Sequence, residues 1–303
     1  MAIYSCPGCG SKSFVSVANA FTQEKRKSFL AICTSCSLLY DRNSSTLDYS
    51  KYSTIRNRVD HDNLFSKRTE HSSYAFDRFN WVVKNSHDMQ FPLPKTVLEI
   101  GTYDGANLYP YHLLGIPVTG IDECTEAFSP GSSIGINLLQ SCDCSTKYDL
   151  IIVSHVLEHV IDIRSFLEYV KSFAHSDTLI FFEVPGLNSW YAKPSSPVPS
   201  GYSSTNRLNG YLRNEHISYF TKDTLHNTLF SNSIFPQKLN SIPRALCTVS
   251  QVPTSPTPKP VPYCIDMQKR HLKDVKASLY SPYELLLKLL RRAYLFVTPS
   301  SCD

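Results

Sequence analysis

Val97-Leu-Glu-Ile-Gly-Thr-Tyr-Asp-Gly105 is the stretch that decides the fold of this 303-residue chain. Its apolar residues predict a short buried strand, and its two glycines predict a tight turn into a helix. Gly101 would let the backbone approach a ligand closely, and Gly105 would let the start of the helix pack tightly. Tyr103 stands where a nicotinamide-type Gly-x-Gly-x-x-Gly loop has its middle glycine, and no Lys-Ser/Thr pair follows. The turn therefore fits neither of these two phosphate-binding loops.

The segments that follow this stretch predict strands in alternation with helices. Residues 117–121, 148–153 and 178–184 are apolar enough to form further buried strands. Helices are predicted from the glycine turn to Leu114, over residues 163–173, and after Thr221, which can cap the last of them. Such alternation predicts an α/β fold in which helices cover both faces of a mostly parallel sheet.

The rest of the chain divides around this domain, which we predict over residues 94–251. Residues 43–93 are predicted as a helical linker or lid, with apolar side chains at helical spacing through 74–83. Residues 185–214 are rich in Pro, Ser, Tyr and Asn and are predicted as a long loop. Residues 252–303 are predicted as a Pro-rich extended linker, up to 262, and a helical tail with an apolar stretch at 285–290.

Four cysteines near the start form two Cys-x-x-Cys pairs, Cys6-Pro-Gly-Cys9 and Cys33-Thr-Ser-Cys36. Two such pairs can place four thiolates tetrahedrally around Zn²⁺, and a redox pair is the alternative interpretation. A site with four protein thiolates has no open position, so its role would be structural. We predict a zinc ribbon over residues 1–42.

The composition limits the classes of protein to consider. The formal charge is +4, from 30 Lys and Arg against 26 Asp and Glu, which is less basic than most domains built to grip nucleic acid. The start of the sequence has no secretory signal, and no apolar run approaches the roughly 18 residues that span a bilayer. We expect a cytoplasmic protein without a transmembrane segment, and the sequence leaves its oligomeric state open.

Three blocks resemble the successive motifs of class I S-adenosylmethionine (SAM)-dependent methyltransferases. These blocks are Leu98-Glu-Ile-Gly-Thr-Tyr-Asp-Gly105, Gly120-Ile-Asp122 and Tyr148-Asp-Leu-Ile-Ile-Val-Ser-His-Val-Leu-Glu-His-Val160. The resemblance implies a Rossmann-like methyltransferase sheet with SAM as cofactor, and an acidic residue such as Asp122 suits the ribose hydroxyls. The cofactor-binding residues that it implies are Glu99, Gly101, Tyr103, Gly105, Asp122, Ser154 and His155.

A further block, Glu215-His-Ile-Ser-Tyr-Phe-Thr221, follows the predicted loop. Together with the four-cysteine module and the Leu-Glu-His block, it resembles the sugar C-methyltransferases that act on nucleotide-linked keto-deoxysugars. A carbon acceptor must lose a proton before methylation, so a positioned base is needed. The resemblance implies that Glu215 and His216 supply this base and that the acceptor is a small molecule, with a nucleotide-linked ketosugar as the narrower class.

Two other functions compete with this interpretation. In the first, the chain is an RNA or protein methyltransferase whose zinc ribbon docks a macromolecule through Lys12 and the basic cluster at 25–27. Against methylation of amino groups, no Asn/Asp-Pro-Pro-Tyr/Phe block follows the strand at 148–153. In the second, the chain is a non-catalytic assembly module that uses its tail to bind a partner or a membrane surface.

Overall fold

The computed structural model describes residues 3–22, 26–44, 70–187, 212–251 and 258–277. Most of the loop predicted at 185–214 and the whole apolar stretch at 285–290 lie outside these ranges. Within them, no helix combines the length and the apolar character that a bilayer crossing requires.

The described residues form eleven strands and six α-helices. The strands are β1 (Phe14–Phe21), β2 (Lys27–Cys33), β3 (Leu39–Asp41), β4 (Val97–Ile100), β5 (Val118–Ile121), β6 (Asn137–Leu139), β7 (Tyr148–Ser154), β8 (Ala174–Glu183), β9 (Ser218–Tyr219), β10 (Phe235–Leu239) and β11 (Arg244–Thr248). The helices are α1 (Glu70–Asp88), α2 (Tyr109–Leu113), α3 (Ser129–Ser133), α4 (Ile163–Lys171), α5 (Lys222–Ser231) and α6 (Val261–Ala277). Short 3-10 helices cover Thr125–Ala127 and Leu157–His159.

The larger sheet has seven strands in the order β10-β11-β8-β7-β4-β5-β6. The five strands from β8 to β6 pair in parallel, and β11 runs antiparallel to both of its neighbours. All four residues of β4 are buried, as expected for a strand that is covered on both faces. The chain order reverses between β4 and β7, which creates a crevice at the carboxyl ends of these strands. The predicted α/β fold is confirmed.

Three helices differ from their predicted bounds, and one of them, α4, ends at Lys171 instead of residue 173. The helix after the glycine turn is only five residues long, because turns and a bend occupy residues 103–108 and the helix begins at Tyr109, next to Pro110. Proline lacks an N–H donor and is favoured in the first turn of a helix. For the same reason α6 can begin at Val261 with Pro262 next, so the last two residues of the predicted extended linker are helical.

The smaller sheet joins the cysteine module to the rest of the chain. Its order is β1-β2-β3-β9, and β9 comes from the segment just before α5. Leu39 pairs with Tyr219 and Tyr40 pairs with Ser218, in antiparallel register. The Asp41 N–H also donates to the carbonyl of the residue before β9, over 2.9 Å. The sequence did not predict this pairing, which fixes the module beside the Glu215–Thr221 block.

Candidate active site

The turn after β4 is held in a left-handed backbone conformation. Gly101, Tyr103 and Gly105 have φ values of 78°, 53° and 82°. The Tyr103 N–H donates to Oδ2 of Asp122 over 2.8 Å, and the Cys124 N–H donates to Oδ1 over 2.8 Å. Asp122 therefore ties the loop after β5 to the loop after β4. Since a carboxylate oxygen accepts more than one hydrogen bond, this side chain can also accept hydroxyl donors from a ligand.

Glu99 lies beneath the same turn. Its side chain is fully buried and accepts hydrogen bonds from Thr102 Oγ1 over 2.9 Å and from Asn107 Nδ2 over 2.6 Å. Burial raises the pKa of Glu99 to about 8. Both carboxylate oxygens are engaged with residues of the turn, so Glu99 shapes the site from below.

The end of β7 brings Ser154 and His155 to the crevice. Ser154 is 6% exposed, whereas the His155 ring is 43% exposed. The ring lies between two carboxylates, with Nδ1 3.3 Å from Glu158 Oε1 and Nε2 3.2 Å from Glu183 Oε1. Burial opposes the charged form, but the contacts with Glu158 and Glu183 outweigh it and raise the pKa of His155 to about 9. His155 therefore places a positive charge at this edge at neutral pH.

Glu183, the last residue of β8, was not predicted as a site residue. Its buried carboxylate accepts hydrogen bonds from Arg78 Nε and Nη2, over 3.1 and 3.0 Å, and from Arg244 Nε over 2.7 Å. Despite burial, the contacts with His155 and the charge of Arg78 hold the pKa of Glu183 well below its usual range. An acid at the end of an apolar strand is a visible signal, but nothing in the sequence links Glu183 to its two distant arginines.

One chain of polar contacts connects the predicted residues across the sheet edge. Arg78 Nη1 donates to Asn107 Oδ1 over 3.1 Å, and the amide of Asn107 donates in turn to Glu99. The guanidinium of Arg78 also pairs with Glu183, which contacts His155. The turn after β4 and the end of β7 are thus held in one network.

The Glu215–His216 pair reaches the same region from the smaller sheet. The His216 and His159 rings lie 5.0 Å apart, centroid to centroid, and Nε2 of His159 is 3.8 Å from Oε1 of Glu158. The carbonyl of Glu215 accepts a hydrogen bond from Nδ1 of His159 over 2.9 Å. Burial lowers the pKa of His216 well below its ordinary value, so its ring is neutral. His216 joins the site through its ring, and Glu215 joins it through its backbone.

The four predicted cysteines lie together. The Sγ atoms of Cys6 and Cys36 are 3.5 Å apart, as are those of Cys9 and Cys33, and all four lie within 4.8 Å of one another. Zinc–sulfur bonds of about 2.3 Å place tetrahedral sulfur atoms roughly 3.8 Å apart. The cluster therefore has the size and the donor set that a zinc ion requires.

The cysteine module also positions the chain next to His216. Thr22 Oγ1 and Arg26 Nε donate to Oδ1 of Asn214, over 2.5 and 3.2 Å, and Arg26 pairs with Asp41 at 2.8 Å. Ser44 Oγ donates to the His216 carbonyl over 3.3 Å. Arg26, from the basic cluster that could dock a macromolecule, is thus engaged within the protein. Lys25 of that cluster lies outside the described residues.

The sequence was compared with models of known protein families, and one family model matches it. A family model described as "Methyltransferase domain" matches residues 74–231, slightly more than half of the chain. No curated protein matches the sequence significantly.

Several solved structures are similar at low identity. The plantazolicin methyltransferase BpumL, in complex with a triazolic desmethylPZN analog and SAH, is 15% identical, with 77% of this chain and 88% of that chain covered and a TM-score of 0.46. The DhpI–SAH complex is 16% identical, with coverages of 66% and 95% and a TM-score of 0.44. An S-adenosylmethionine-dependent methyltransferase from Clostridium acetobutylicum ATCC 824 is 12% identical, with coverages of 67% and 99% and a TM-score of 0.43.

The close approach of Gly101 to the loop after β7 gives a testable prediction. A Cβ atom at Gly101 would lie 2.3 Å from Cγ2 of Val156, and its positive φ adds a cost of roughly 1–2 kcal/mol for any other residue. We expect Gly101→Ala to lower the free energy of unfolding by more than this φ cost, as measured by urea denaturation.

Gly115→Ala is the matched control, because Gly115 has a φ of 74° and nothing within 4 Å of an added Cβ. Gly115→Ala should show the φ cost alone, and Gly101→Ala combined with Val156→Ala should recover part of the loss. Equal destabilisation by Gly101→Ala and Gly115→Ala would contradict the described packing.

Proposed function

We propose that this chain methylates a small-molecule acceptor at the carboxyl edge of its larger sheet. The chain belongs to the methyltransferase family described above and is a SAM-dependent methyltransferase. The observation that carries the proposal is the contact of Asp122 with the Tyr103 amide, which joins the loops after β5 and β4 into one cleft. A carboxylate in this position suits ribose hydroxyls. SAM has no phosphate, so it does not need the glycine-rich phosphate loop that this turn lacks.

We assign the parts of SAM to the residues of this cleft. Gly101, Tyr103 and Gly105 form the turn against which SAM lies, with Glu99 beneath it. Asp122 accepts the ribose hydroxyls. Ser154 and His155 lie beside the methionine portion, where the positive charge of His155 can pair with its carboxylate.

The reaction is an in-line displacement at the methyl carbon. The acceptor atom approaches opposite to sulfur, at roughly 3–3.5 Å, and forms the new bond as the carbon–sulfur bond breaks and its electron pair stays on sulfur. The acceptor also loses a proton. We assign the removal of this proton to the Glu215–His216 pair, with His216 as the base. The position of His216 supports this assignment, because its ring lies against His159 at the same edge of the sheet as His155. We propose a nucleotide-linked ketosugar as the first acceptor class to test.

We further propose that the four cysteines bind a structural zinc ion and that residues 1–42 are a zinc ribbon beside a methyltransferase domain over 94–251. The support is the donor set and the spacing of the sulfur atoms. Zinc would supply only structure there, because four thiolates complete its coordination. By fixing β3 it would also fix β9, which pairs with it next to His216.

Asp122→Asn tests the ribose contact. We expect SAM to bind at least about tenfold more weakly, since a hydrogen bond to a charged group contributes roughly 1.5–3 kcal/mol. Isothermal titration calorimetry measures this directly. Asp177→Asn makes the same charge change near the amino end of β8 and should leave the affinity unchanged. Equal affinity of the Asp122→Asn variant and the unmodified protein would contradict the assignment.

Removal of zinc tests the cysteine cluster. We expect a strong chelator to release a zinc ion from each chain and to lower Tm by at least about 5 °C, because metal binding contributes directly to folding. Cys33→Ser should reproduce both effects, whereas Cys142→Ser, at a half-buried cysteine outside the cluster, should not. A Cys33→Ser protein with unchanged zinc content would refute the site.

His216→Ala tests the base, with SAH formation measured on nucleotide-linked ketosugars and, in parallel, on structured RNAs. Loss of a general base should lower kcat by at least about 100-fold while SAM affinity stays within about twofold. Glu215→Gln should have a smaller effect, because the observed contact of Glu215 uses its backbone carbonyl. Unchanged kcat in His216→Ala would remove the base assignment, and turnover on RNA alone would remove the small-molecule assignment.

A further inference from the structure

Glu158 is a buried carboxylate without adequate partners. It is 1% exposed, and neither of its oxygens makes a hydrogen bond within the described parts of the chain, although ring nitrogens of His155 and His159 lie 3.3 and 3.8 Å from Oε1. Burial of a carboxylate costs several kcal/mol unless hydrogen bonds or a cation compensate for lost water. The His155 ring contacts one of its oxygens, but no hydrogen bond among the described residues reaches either oxygen, so this carboxylate can still bind a cation.

The hydrogen bond of His159 fixes which nitrogen faces Glu158. A carbonyl can only accept, so Nδ1 of His159 carries the proton that it donates to Glu215. The other ring nitrogen, Nε2, is the atom that lies 3.8 Å from Glu158 Oε1. A histidine that ligates a metal through one nitrogen commonly donates its other N–H to a backbone carbonyl, as Nδ1 of His159 does here, which leaves Nε2 as the ligand atom.

His216 completes a set of three donors. The set comprises one ring nitrogen each of His216 and His159 and one carboxylate oxygen of Glu158, which all lie within 4.8 Å of one another. Ligands at about 2.1 Å from one tetrahedral ion lie roughly 3.4 Å apart, so small side-chain rotations would bring these atoms into a coordination sphere. Glu158 and His159 are neighbours in the chain, whereas His216 comes from a distant segment. A hydrogen bond joins the two segments, in which the Ile217 N–H donates to the Glu158 carbonyl over 2.7 Å.

We propose that Glu158, His159 and His216 bind a divalent transition-metal ion of the zinc type. Two imidazoles and one carboxylate favour such an ion over magnesium or calcium, which prefer oxygen ligands. Three protein ligands also leave an open position.

The role of this ion rests on the proposed function, although its binding does not. At the open position the ion would hold and polarise an oxygen of the acceptor as a Lewis acid. While its ring holds the ion, His216 cannot take the acceptor proton, so in the metal-bound site that proton would pass to the Glu215 carboxylate, the other member of the proposed pair. The site is separate from the four-cysteine cluster, whose ligands are all sulfur.

Equilibrium dialysis of the full chain against micromolar Zn²⁺, followed by metal analysis and zinc-edge X-ray absorption, tests the site. We expect the unmodified protein to hold one more zinc ion per chain than the His159→Ala, His216→Ala and Glu158→Gln variants. Its spectrum should include nitrogen or oxygen ligands at about 2.0–2.1 Å, which the three variants lose, leaving sulfur at about 2.3 Å. The test compares the zinc content of the unmodified protein with that of each variant. The expected difference of one ion is therefore the same whether or not the four cysteines hold zinc.

His175→Ala is the matched control, because His175 pairs with Asp149 at 3.1 Å near the amino end of β8 and should not alter the zinc content. SAM affinity by calorimetry, measured on each variant, identifies any that fails to fold. Equal zinc content in the unmodified protein and in folded His159→Ala and His216→Ala would overturn the metal site. Failure of the unmodified protein to bind SAM would instead overturn the proposed function and leave the zinc comparison intact.

Discussion

The buried carboxylate of Glu183 is the constraint on which the carboxyl edge of the sheet depends. A buried charge is tolerated only where other charges and hydrogen bonds surround it. Here α1 supplies Arg78, β11 supplies Arg244 and the end of β7 supplies His155. Because each partner comes from a different element, the need to neutralise one carboxylate sets the relative positions of these elements. The Asn107 bridge extends the same network to Glu99 beneath the glycine turn.

A second constraint comes from the smaller sheet, which pairs strands from two distant parts of the chain. Strand β3 follows the cysteine pairs, and β9 follows the Glu215–His216 pair. Contacts of Arg26 and Thr22 with Asn214 strengthen this connection. A small module that a metal can hold together is thereby part of the wall of the active site. The arrangement places the four-cysteine cluster in the same module as the strand that pairs next to His216, so the proposed zinc ion would help to hold the proposed base in position.

Local patterns predicted much of this structure, and contacts between distant residues account for what they missed. The strand at Val97–Ile100, the glycine turn and the Cys-x-x-Cys pairs are decided by neighbouring residues, so the sequence was enough to predict them. The partners of Glu183 and the β3–β9 pairing depend on topology, and no local pattern encodes them. Nothing in the sequence indicated where Glu158 lies relative to His155 and His159. A 3-10 helix at Leu157–His159 brings Glu158 between these two histidines.

We propose that SAM occupies the cleft between the loops after β4 and β5. A crystal structure of the protein with S-adenosylhomocysteine tests it most directly. We expect electron density for the ribose hydroxyls at the Asp122 carboxylate, with the amino-acid end near Gly101 and His155. A cleft that stays empty at saturating ligand, or a ligand bound at another edge of the sheet, would contradict it.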